Sequence, residues 1–213
     1  MRGILCSAIT ISMLSVFAQT AAPRTYTLDF VTARPDGDTR ADRVRHREAG
    51  FGELGRHFDP NWEHLPLEMT LVQLDRTGYT VGDPVVYEVA IKHVGTKPLP
   101  FPMTRSLAPF DRNHRLTSQV LILLHIEDEF LGDQLLGEQS TAYSSDSLPQ
   151  TFIMLNPGDI VRVRGIATWG LQKAGMTSWV RNVTVKAQLQ FYGVGPLNPI
   201  DDSNGIKIQL QSR

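Results

Sequence analysis

The sequence predicts an all-β fold, an antiparallel β-sandwich of about seven or eight strands preceded by an N-terminal extension. Three observations predict this class. Apolar and polar residues alternate along many short segments, which is the pattern of strands with one buried and one wetted face. Clusters of Gly, Pro, Asn and Asp separate these segments, and the segments follow one another closely between residues 64 and 213, as the strands of a sandwich do.

The first residues have the composition of a secretory signal peptide of bacterial type. Arg2 precedes an apolar run over residues 4–17, and Ala18 ends a stretch that a signal peptidase could cleave, with Ala21 or Ala22 as alternatives. The run is shorter than the roughly 20 residues that span a bilayer as a helix. We therefore expect residues 1–18 to be removed and the remaining chain to be extracytoplasmic, either periplasmic or secreted, without a membrane span.

Charge and cysteine content narrow the function classes. The chain has 21 basic and 22 acidic side chains, a near balance that favours neither nucleic acid nor an anionic membrane surface as a partner. Its one cysteine, Cys6, lies within the predicted signal peptide. The processed chain then has no thiol for a disulfide, so its stability has to come from the burial of apolar side chains.

Residues 19–63 form a compositionally distinct N-terminal extension. Their central part mixes both charges with few apolar side chains, whereas apolar alternation begins just after His64. We place a domain boundary at His64 and expect the sandwich to occupy residues 64–213. Within the extension, an edge strand is predicted at 26–31 and a short helix near 43–48, while the composition favours a partly flexible arm.

The clearest strand lies between the breaks at Gly82 and Pro98. Its apolar side chains alternate with charged ones, so one face is predicted to be buried and the other solvated. The two sets are Val85, Tyr87, Val89 and Ile91 on the inner face, and Glu88 and Lys92 on the outer face. Before this strand, residues 65–71 alternate in the same way, and the short run 79–81 stands between two turn signals.

Residues 116–127 are apolar at both odd and even positions. This pattern favours a central strand covered on both faces; a buried helix is the alternative, but the β-branched content and the lack of a helix cap favour the strand. After a strand at 151–155, the tetrapeptide Asn-Pro-Gly-Asp at 156–159 predicts a turn. The following strand holds Val161 and Val163, and Gly165 suggests a bulge in it.

The last two predicted strands alternate most regularly. One has Val183, Val185, Ala187, Leu189 and Phe191 on its apolar face, and the other has Ile206, Ile208 and Leu210. We expect these strands to be neighbours in one sheet. The segment between them is too long for a two-residue turn, so it is predicted to form an extended loop that ends at Asn204 and Gly205.

Residues 67–102 carry a family resemblance. They read L-E-M-T-L-V-Q-L-D-R-T-G-Y-T-V-G-D-P-V-V-Y-E-V-A-I-K-H-V-G-T-K-P-L-P-F-P. This segment resembles the opening strands of immunoglobulin-like β-sandwich modules in exported bacterial proteins. It is also similar to BsuPI-type proteinase inhibitor domains in its order of turn glycine, apolar strand and polar break. The resemblance implies a fold and no particular activity, and His93-Val94-Gly95 stands where such modules usually have Asn-x-Gly.

A short glycine pattern suggests a dinucleotide site, but its surroundings favour a plain loop. Residues 50–55 fit G-x-G-x-x-G. A dinucleotide loop needs a buried strand before it and a helix after it, whereas charged residues precede this match and Pro60 interrupts the segment that would form the helix. We expect no cofactor.

Two groups of polar residues offer metal ligands without a standard spacing. The first group is His57, Asp59, Glu63 and His64, which does not match the spacing of a zinc site. The second is the segment 201–205, which has oxygens suited to calcium but lacks the bidentate Glu and the regular ligand spacing of a known calcium-binding loop. Solvated loops and a plain turn explain both, and we expect no metal ion.

The sequence offers no recognisable catalytic motif. It has no G-x-S-x-G or S-x-x-K pattern, and the processed chain has no cysteine. A Ser/His/Asp triad built from distant residues stays open, because triads are defined by geometry. The carboxylates at 127–129 are expected to form a solvated turn, while His93 and His125 lie on predicted strands and are expected to be packed or hydrogen-bonded. We therefore predict no catalytic residues.

The Pro-rich segment 98–110 is the best candidate for a partner-binding surface, through Phe101, Met103 and Phe110. The stronger interpretation is that such residues fold over the open end of the sandwich and cap its core. We expect a non-catalytic exported binding module that contacts a protein or glycan through loops at the sandwich ends or an exposed sheet edge. A proteinase inhibitor that presents residues 98–110 or 193–205 is the alternative, and an extracytoplasmic hydrolase comes third.

Overall fold

The computed structural model describes residues 22–31, 62–103, 117–129, 131–136, 141–145, 152–169, 178–192, 199–201 and 204–212. Within these ranges the secondary structure consists of strands, turns and bends, which confirms the predicted all-β class. The predicted signal peptide and the predicted helix near 43–48 lie outside the described residues. Among those residues, no helical segment has the length and apolar character that crossing a bilayer requires.

Thirteen strands lie within the described ranges. In chain order they are β1 (Thr25–Asp29), β2 (Leu67–Leu74), β3 (Gly78–Thr80), β4 (Pro84–His93), β5 (Leu99–Pro102), β6 (Thr117–Asp128), β7 (Gly132–Leu135), β8 (Thr141–Ser145), β9 (Phe152–Leu155), β10 (Ile160–Thr168), β11 (Val180–Tyr192), β12 (Ile200–Asp201) and β13 (Ile206–Gln211). The count exceeds the predicted seven or eight because several short strands, such as β7 and β12, are too brief to show alternation in the sequence.

The strands form two large sheets and one small one. The first sheet has the order β1-β10-β4-β2. The second has the order β3-β13-β11-β6-β7, and within it β8 also pairs with β6 and β12 with β11. The third sheet pairs only β5 with β9. The inner faces of the two large sheets share one apolar core, so the molecule is a sandwich.

The strand order is that of an immunoglobulin-like sandwich. Strands β2, β4 and β10 are neighbours as strands A, B and E are in that fold, and β6, β11 and β13 are neighbours as C, F and G are. The edge place beside E, which strand D takes in constant-type domains, is occupied here by β1. The fold is therefore the predicted one, with its N-terminal extension supplying one edge strand.

Two edge pairings depart from the predicted antiparallel arrangement. β1 pairs in parallel with β10, and β3 pairs in parallel with β13. Both edge strands are short, and their partners lie far away in the chain. Sequence alternation reports which face of a strand is buried and contains no information on the direction of its partner, so these parallel pairs could not be anticipated.

The core confirms the predicted inner faces. Val85, Tyr87, Val89 and Ile91 of β4 are each at most 1% exposed, whereas Lys92 on the opposite face is exposed. The antiparallel pairing of β11 with β13 places Val183 opposite Ile208, as expected for neighbours in one sheet. These side chains stabilise the fold by removing apolar surface from water.

Two further expectations concern the central segment and the bulge. The predicted strand at 116–127 is present as β6, between β11 and the pair β7 and β8, so the helix alternative is wrong. The bulge predicted at Gly165 is also wrong, because β10 pairs with β4 without a shift in register. The register shift lies instead in β2, between Leu71 and Gln73.

The predicted N-terminal edge strand is present as β1, slightly earlier than the predicted range 26–31. Thr25 lies opposite Ile160 and Asp29 opposite Arg164, and Leu28 joins the core. The domain boundary at His64 stays a prediction, since most of the extension lies outside the described residues.

Candidate functional site

A polar cleft lies over the parallel pair β3 and β13, at an edge of the larger sheet. Its volume is about 320 Å³. The described lining consists of Arg76, Gly78, Tyr79, Thr80, Asp83, Gln209 and Gln211. These residues come from two distant parts of the chain, the turns around β3 and the last strand, and only the pairing of β3 with β13 brings them together.

The turn between β2 and β3 is held by Asp75. Its main-chain N–H donates to the carbonyl of Val86 and its Oδ1 accepts from the Val86 N–H, each at 2.9 Å. The same Oδ1 accepts from the Tyr79 hydroxyl at 2.8 Å, and that hydroxyl accepts from the Arg76 N–H at 3.1 Å. Asp75 therefore ties the turn to both β3 and β4.

Tyr79 is a buried residue of the lining. Its side chain is 3% exposed, and its ring packs edge-on against Trp169, with 5.7 Å between the ring centroids. Burial, followed by the hydrogen bond to Asp75, raises the pKa of the Tyr79 hydroxyl well above its usual range. The hydroxyl therefore stays protonated at neutral pH and acts as a structural hydrogen-bond donor.

Arg76 lies over the Tyr79 ring and forms ion pairs with Asp75 and Asp83. Its guanidinium carbon lies 4.7 Å from the centroid of the Tyr79 ring, a cation–π contact. Its Nε lies 3.2 Å from Oδ2 of Asp75, its Nη1 lies 3.5 Å from Oδ2 of Asp83, and its Nη2 donates to the carbonyl of Pro84 at 2.8 Å. Arg76 is thereby held in place.

The turn between β3 and β4 positions Asp83. The Asp83 N–H donates to the carbonyl of Thr80 at 2.9 Å, and the Thr80 N–H donates to Oδ2 of Asp83 at 3.0 Å. Gly82 has a φ of 100°, in the left-handed region that favours glycine. This turn lets the chain leave the edge of the second sheet and enter β4 of the first.

The other wall of the cleft is the outer face of β13. Gln209 and Gln211 are exposed and alternate with the buried Ile208 and Leu210, so both amides point to the same side. Nε2 of Gln211 donates to the hydroxyl of Thr80 at 2.8 Å. The wall therefore presents exposed amide and hydroxyl groups, which can both donate and accept hydrogen bonds.

Sequence reasoning did not identify the cleft. The sequence around Arg76 and Gly78 predicts only a turn, and Gln209 and Gln211 indicate only the outer face of a strand. A signal was nevertheless present, because glutamine occupies the alternate positions 209 and 211 of the last predicted strand. Two amides on one face of a strand are candidate hydrogen-bonding groups.

A second polar cluster holds β1 on the first sheet. The carboxylate of Asp159 accepts from the N–H of Arg24 at 2.8 Å, from the N–H of Asn156 at 2.9 Å and from Nη2 of Arg24 at 3.3 Å. Burial alone would raise the pKa of Asp159, but these hydrogen bonds and the Arg24 charge outweigh it and hold the pKa below its usual value. Asp159 is 1% exposed, so this cluster is structural.

Of the predicted partner-binding residues, the two that the structure describes pack into or against the core. Phe101 is 0% exposed and packs edge-on against Phe191, with ring centroids 6.1 Å apart. Met103 is half-buried and packs against the core, and Phe110 lies outside the described residues. For Phe101 the interpretation as a residue that caps the core is therefore confirmed, and its assignment to partner binding is corrected, because a fully buried ring has no surface left for a partner.

The histidines that sequence reasoning placed on strands differ in their surroundings. His93 is fully buried at the end of β4, and neither ring nitrogen has a hydrogen-bond partner among the described residues. Nδ1 of His125 lies 3.2 Å from Oδ1 of Asp133, whose side chain is 69% exposed. Nε2 of His125 is buried, so the pair does not present a basic nitrogen to a substrate in this conformation.

Among the remaining sequence candidates, Glu127 and Asp128 lie at the end of β6 and Asp201 lies in β12. The predicted solvated turn is therefore found only at Glu129, and the turn predicted for 201–205 is wrong at Asp201. Nζ of Lys186 donates to Glu127 at 2.7 Å, and Oδ1 of Asp128 accepts from the Leu131 N–H at 2.8 Å, in the turn to β7. Asp201 accepts from Nε2 of Gln188 at 2.9 Å. Within the described part of the chain, no group of three or more His, Cys, Asp or Glu side chains is placed to hold a metal ion. The pattern at 50–55, His57 and Asp59 lie outside that part.

No protein-family model and no curated protein matches this sequence. Similar solved structures include the alkylpurine DNA glycosylase AlkC of Pseudomonas fluorescens bound to DNA with an abasic-site analogue, at 7% identity and a TM-score of 0.33, covering 68% of this chain and 30% of that one. The sporulation control protein Spo0M of Bacillus subtilis is similar at 14% identity and a TM-score of 0.32, covering 68% of this chain and 49% of that one. A β-glucosidase of Listeria innocua in complex with gluconolactone is similar at 9% identity and a TM-score of 0.31, covering 68% of this chain and 16% of that one. The chain spans less than half the length of each of these proteins.

Proposed function

We propose that this protein is a non-catalytic, exported interaction module that binds a protein or glycan partner at the polar cleft over β3 and β13. The observation that supports this is the cleft of about 320 Å³ at an exposed sheet edge, with the amides of Gln209 and Gln211 and the hydroxyl of Thr80 in its lining. Export rests on the composition of residues 1–18, which is typical of a signal peptide.

The non-catalytic part of the proposal rests on how the titratable groups of the cleft are used. Asp75 and Tyr79 bond to each other and to the main chain, and Arg76 bridges Asp75 and Asp83. A general base must be able to reach a proton of the substrate. In this cleft the titratable groups instead maintain the shape of two turns.

The two alternatives have weaker support from the described residues, which include only 199–201 and 204–205 of the second candidate inhibitor loop, 193–205. A proteinase inhibitor that presents residues 98–110 would need that segment to be extended and accessible, but Leu99–Pro102 form β5, which is buried and paired with β9. A hydrolase would need a histidine with an accessible nitrogen beside an acid, and Nε2 of His125 is buried beside Asp133.

Partner capture tests the proposal. The processed chain is immobilised and incubated with the extracytoplasmic fraction of the source cells, and retained protein and carbohydrate are measured separately. Three forms are compared: wild type, the Gln209→Ala/Gln211→Ala double variant, and Gln73→Ala as a control on the outer face of the other sheet, where Gln73 bonds Glu88. We expect wild type and the control to retain the same component and the double variant to lose it. Equal retention by all three forms, or none by wild type, would contradict the proposal.

A further inference from the structure

The charge of the cleft narrows the class of partner. Arg76 and Asp83 are the charged side chains in the described lining, and they form an ion pair with 3.5 Å between Nη1 and Oδ2. The two formal charges cancel, and Asp75 beside Arg76 adds a further carboxylate. A phosphorylated or sulfated ligand would therefore approach two carboxylates and one guanidinium that is already paired. The lining favours an uncharged ligand.

The uncharged amide and hydroxyl groups of the cleft can both donate and accept hydrogen bonds. Nε2 of Gln211 uses one of its hydrogens on the Thr80 hydroxyl, which leaves the amide oxygen as an acceptor and the hydroxyl hydrogen as a donor. Gln209 adds a second amide two positions earlier on the same face, roughly 7 Å along the strand. Sugar hydroxyl groups both donate and accept, so they match this lining.

The described lining of the cleft exposes little apolar surface against which an apolar side chain of a partner protein could pack. Tyr79 is the one aromatic residue in the described lining, and its ring is 3% exposed beneath the Arg76 guanidinium. Protein–protein interfaces draw most of their affinity from buried aromatic and apolar side chains that fill pockets. A ligand recognised through hydrogen bonds fits this cleft better than a protein side chain does.

We propose that the cleft binds a neutral, polyhydroxylated carbohydrate through Thr80, Gln209 and Gln211. This inference rests on the proposed function, because it names the partner class of the same cleft. Its volume of about 320 Å³ is at the lower end of the range for small-ligand sites, which favours a short stretch of sugar rings. Each hydrogen bond replaces one to water, so we expect a Kd on the order of 1 mM.

Titration followed by NMR tests the inference. The processed, ¹⁵N-labelled protein is titrated in parallel with maltohexaose, cellohexaose and chitohexaose, each to about 10 mM, which exceeds the expected Kd several-fold. We expect at least one of these neutral sugars to produce saturable shifts of the amide signals of Gly78, Thr80, Gln209 and Gln211. In Gln211→Ala and in Gln209→Ala, the Kd should rise about tenfold, the effect of losing a hydrogen bond without a replacement. Both side chains are exposed, so both variants should fold.

Control measurements separate this inference from the proposed function. Gln73→Ala should keep the wild-type Kd, and a sulfated maltohexaose should bind more weakly than the neutral one. Absence of saturable shifts with all three sugars, equal affinity in the Gln211→Ala variant, or tighter binding of the sulfated sugar would overturn the inference. If the sugars fail while the capture experiment retains a protein that the double variant loses, the carbohydrate class is wrong and the interaction module stands.

Discussion

The main-chain N–H of Arg24 donates a hydrogen bond to Oδ1 of Asp159 at 2.8 Å, although the two residues lie 135 positions apart. Asp159 ends the turn that precedes β10, and Arg24 precedes β1, so this bond aligns the start of the parallel pair. The Ile160 N–H continues the alignment by donating to the carbonyl of Arg24 at 2.9 Å. A buried carboxylate thus attaches the N-terminal strand to the sandwich.

Replacement of the Asp159 carboxylate should destabilise the protein. In Asp159→Asn, one buried oxygen becomes an amide donor that faces other donors, and we expect a loss of about 1–3 kcal/mol in the free energy of unfolding. Urea denaturation measures the loss, and hydrogen exchange should show faster exchange at Tyr26 and Leu28 of β1. The control is Asp133→Asn, on an exposed position, with an expected change within about 0.5 kcal/mol. Wild-type stability in Asp159→Asn would contradict the structural role.

The same carboxylate should make the stability depend on pH. Its pKa is lower in the folded protein than in the unfolded chain, so its contribution is fully present above the unfolded pKa and is lost as pH falls through the folded pKa. We expect the urea midpoint of wild type to fall as the pH drops below about 4, the ordinary pKa of an aspartate. The fall should be smaller in Asp159→Asn, which lacks this titration. If the urea midpoints of the two proteins fell equally with pH, Asp159 would not contribute to the pH dependence of stability.

The turn before β10 requires glycine at position 158. Gly158 has a φ of 86°, and a Cβ there would lie 3.2 Å from Cγ of Pro23. We expect Gly158→Ala to lower the free energy of unfolding by about 1 kcal/mol or more, because the left-handed conformation is unfavourable for alanine. Gly78→Ala is the matched control, since the nearest atom to its Cβ would be 3.9 Å away. Thermal denaturation compares the two, and equal melting temperatures would refute the requirement.

Removal of the Phe101 ring should affect stability rather than partner binding. The ring is fully buried against Phe191, so we expect Phe101→Ala to cost about 3–5 kcal/mol. The control is Met154→Ala on the paired strand β9, where the side chain is 40% exposed and the cost should be small. Below its melting temperature, Phe101→Ala should retain whatever partner wild type binds at the cleft. A stable variant that no longer binds would restore Phe101 as a partner-binding residue.

Tyr79 should remain protonated where an ordinary tyrosine ionises. Burial and the hydrogen bond to Asp75 raise its pKa, so the ultraviolet titration of wild type and of Tyr79→Phe should show equal phenolate absorbance through about pH 10 while both remain folded. Its contribution to stability is complete below the unfolded pKa and declines as pH rises beyond it. The variant loses a donor to Asp75 and an acceptor for the Arg76 N–H, at a cost of about 1 kcal/mol. One additional phenolate in wild type near pH 10 would be the contrary result.

The strands and their buried faces could be predicted because each depends on local sequence. In β4, alternation from Val85 to Ile91 reports directly which side chains leave water, and Pro157 with Gly158 marks the turn before β10 for equally local reasons. No local sequence pattern indicates whether a short edge strand pairs in the parallel or the antiparallel direction. This is why the sequence predicts β1 as an edge strand but does not predict its parallel pairing with β10.

Local alternation in the sequence predicts the all-β sandwich, the inner faces of β4, β10, β11 and β13, and the neighbouring positions of β11 and β13. The three-dimensional fold was needed to choose the buried position for Phe101, to bring Arg24 to Asp159, and to bring Thr80 to Gln211 across 131 positions of the chain. The two kinds of feature differ in the range of the interactions that produce them. Along a strand, burial alternates with a period of two residues, so a short segment of sequence is enough to show it. A cleft forms where segments that are distant in the chain come into contact, and no periodic pattern in the sequence indicates which segments these are.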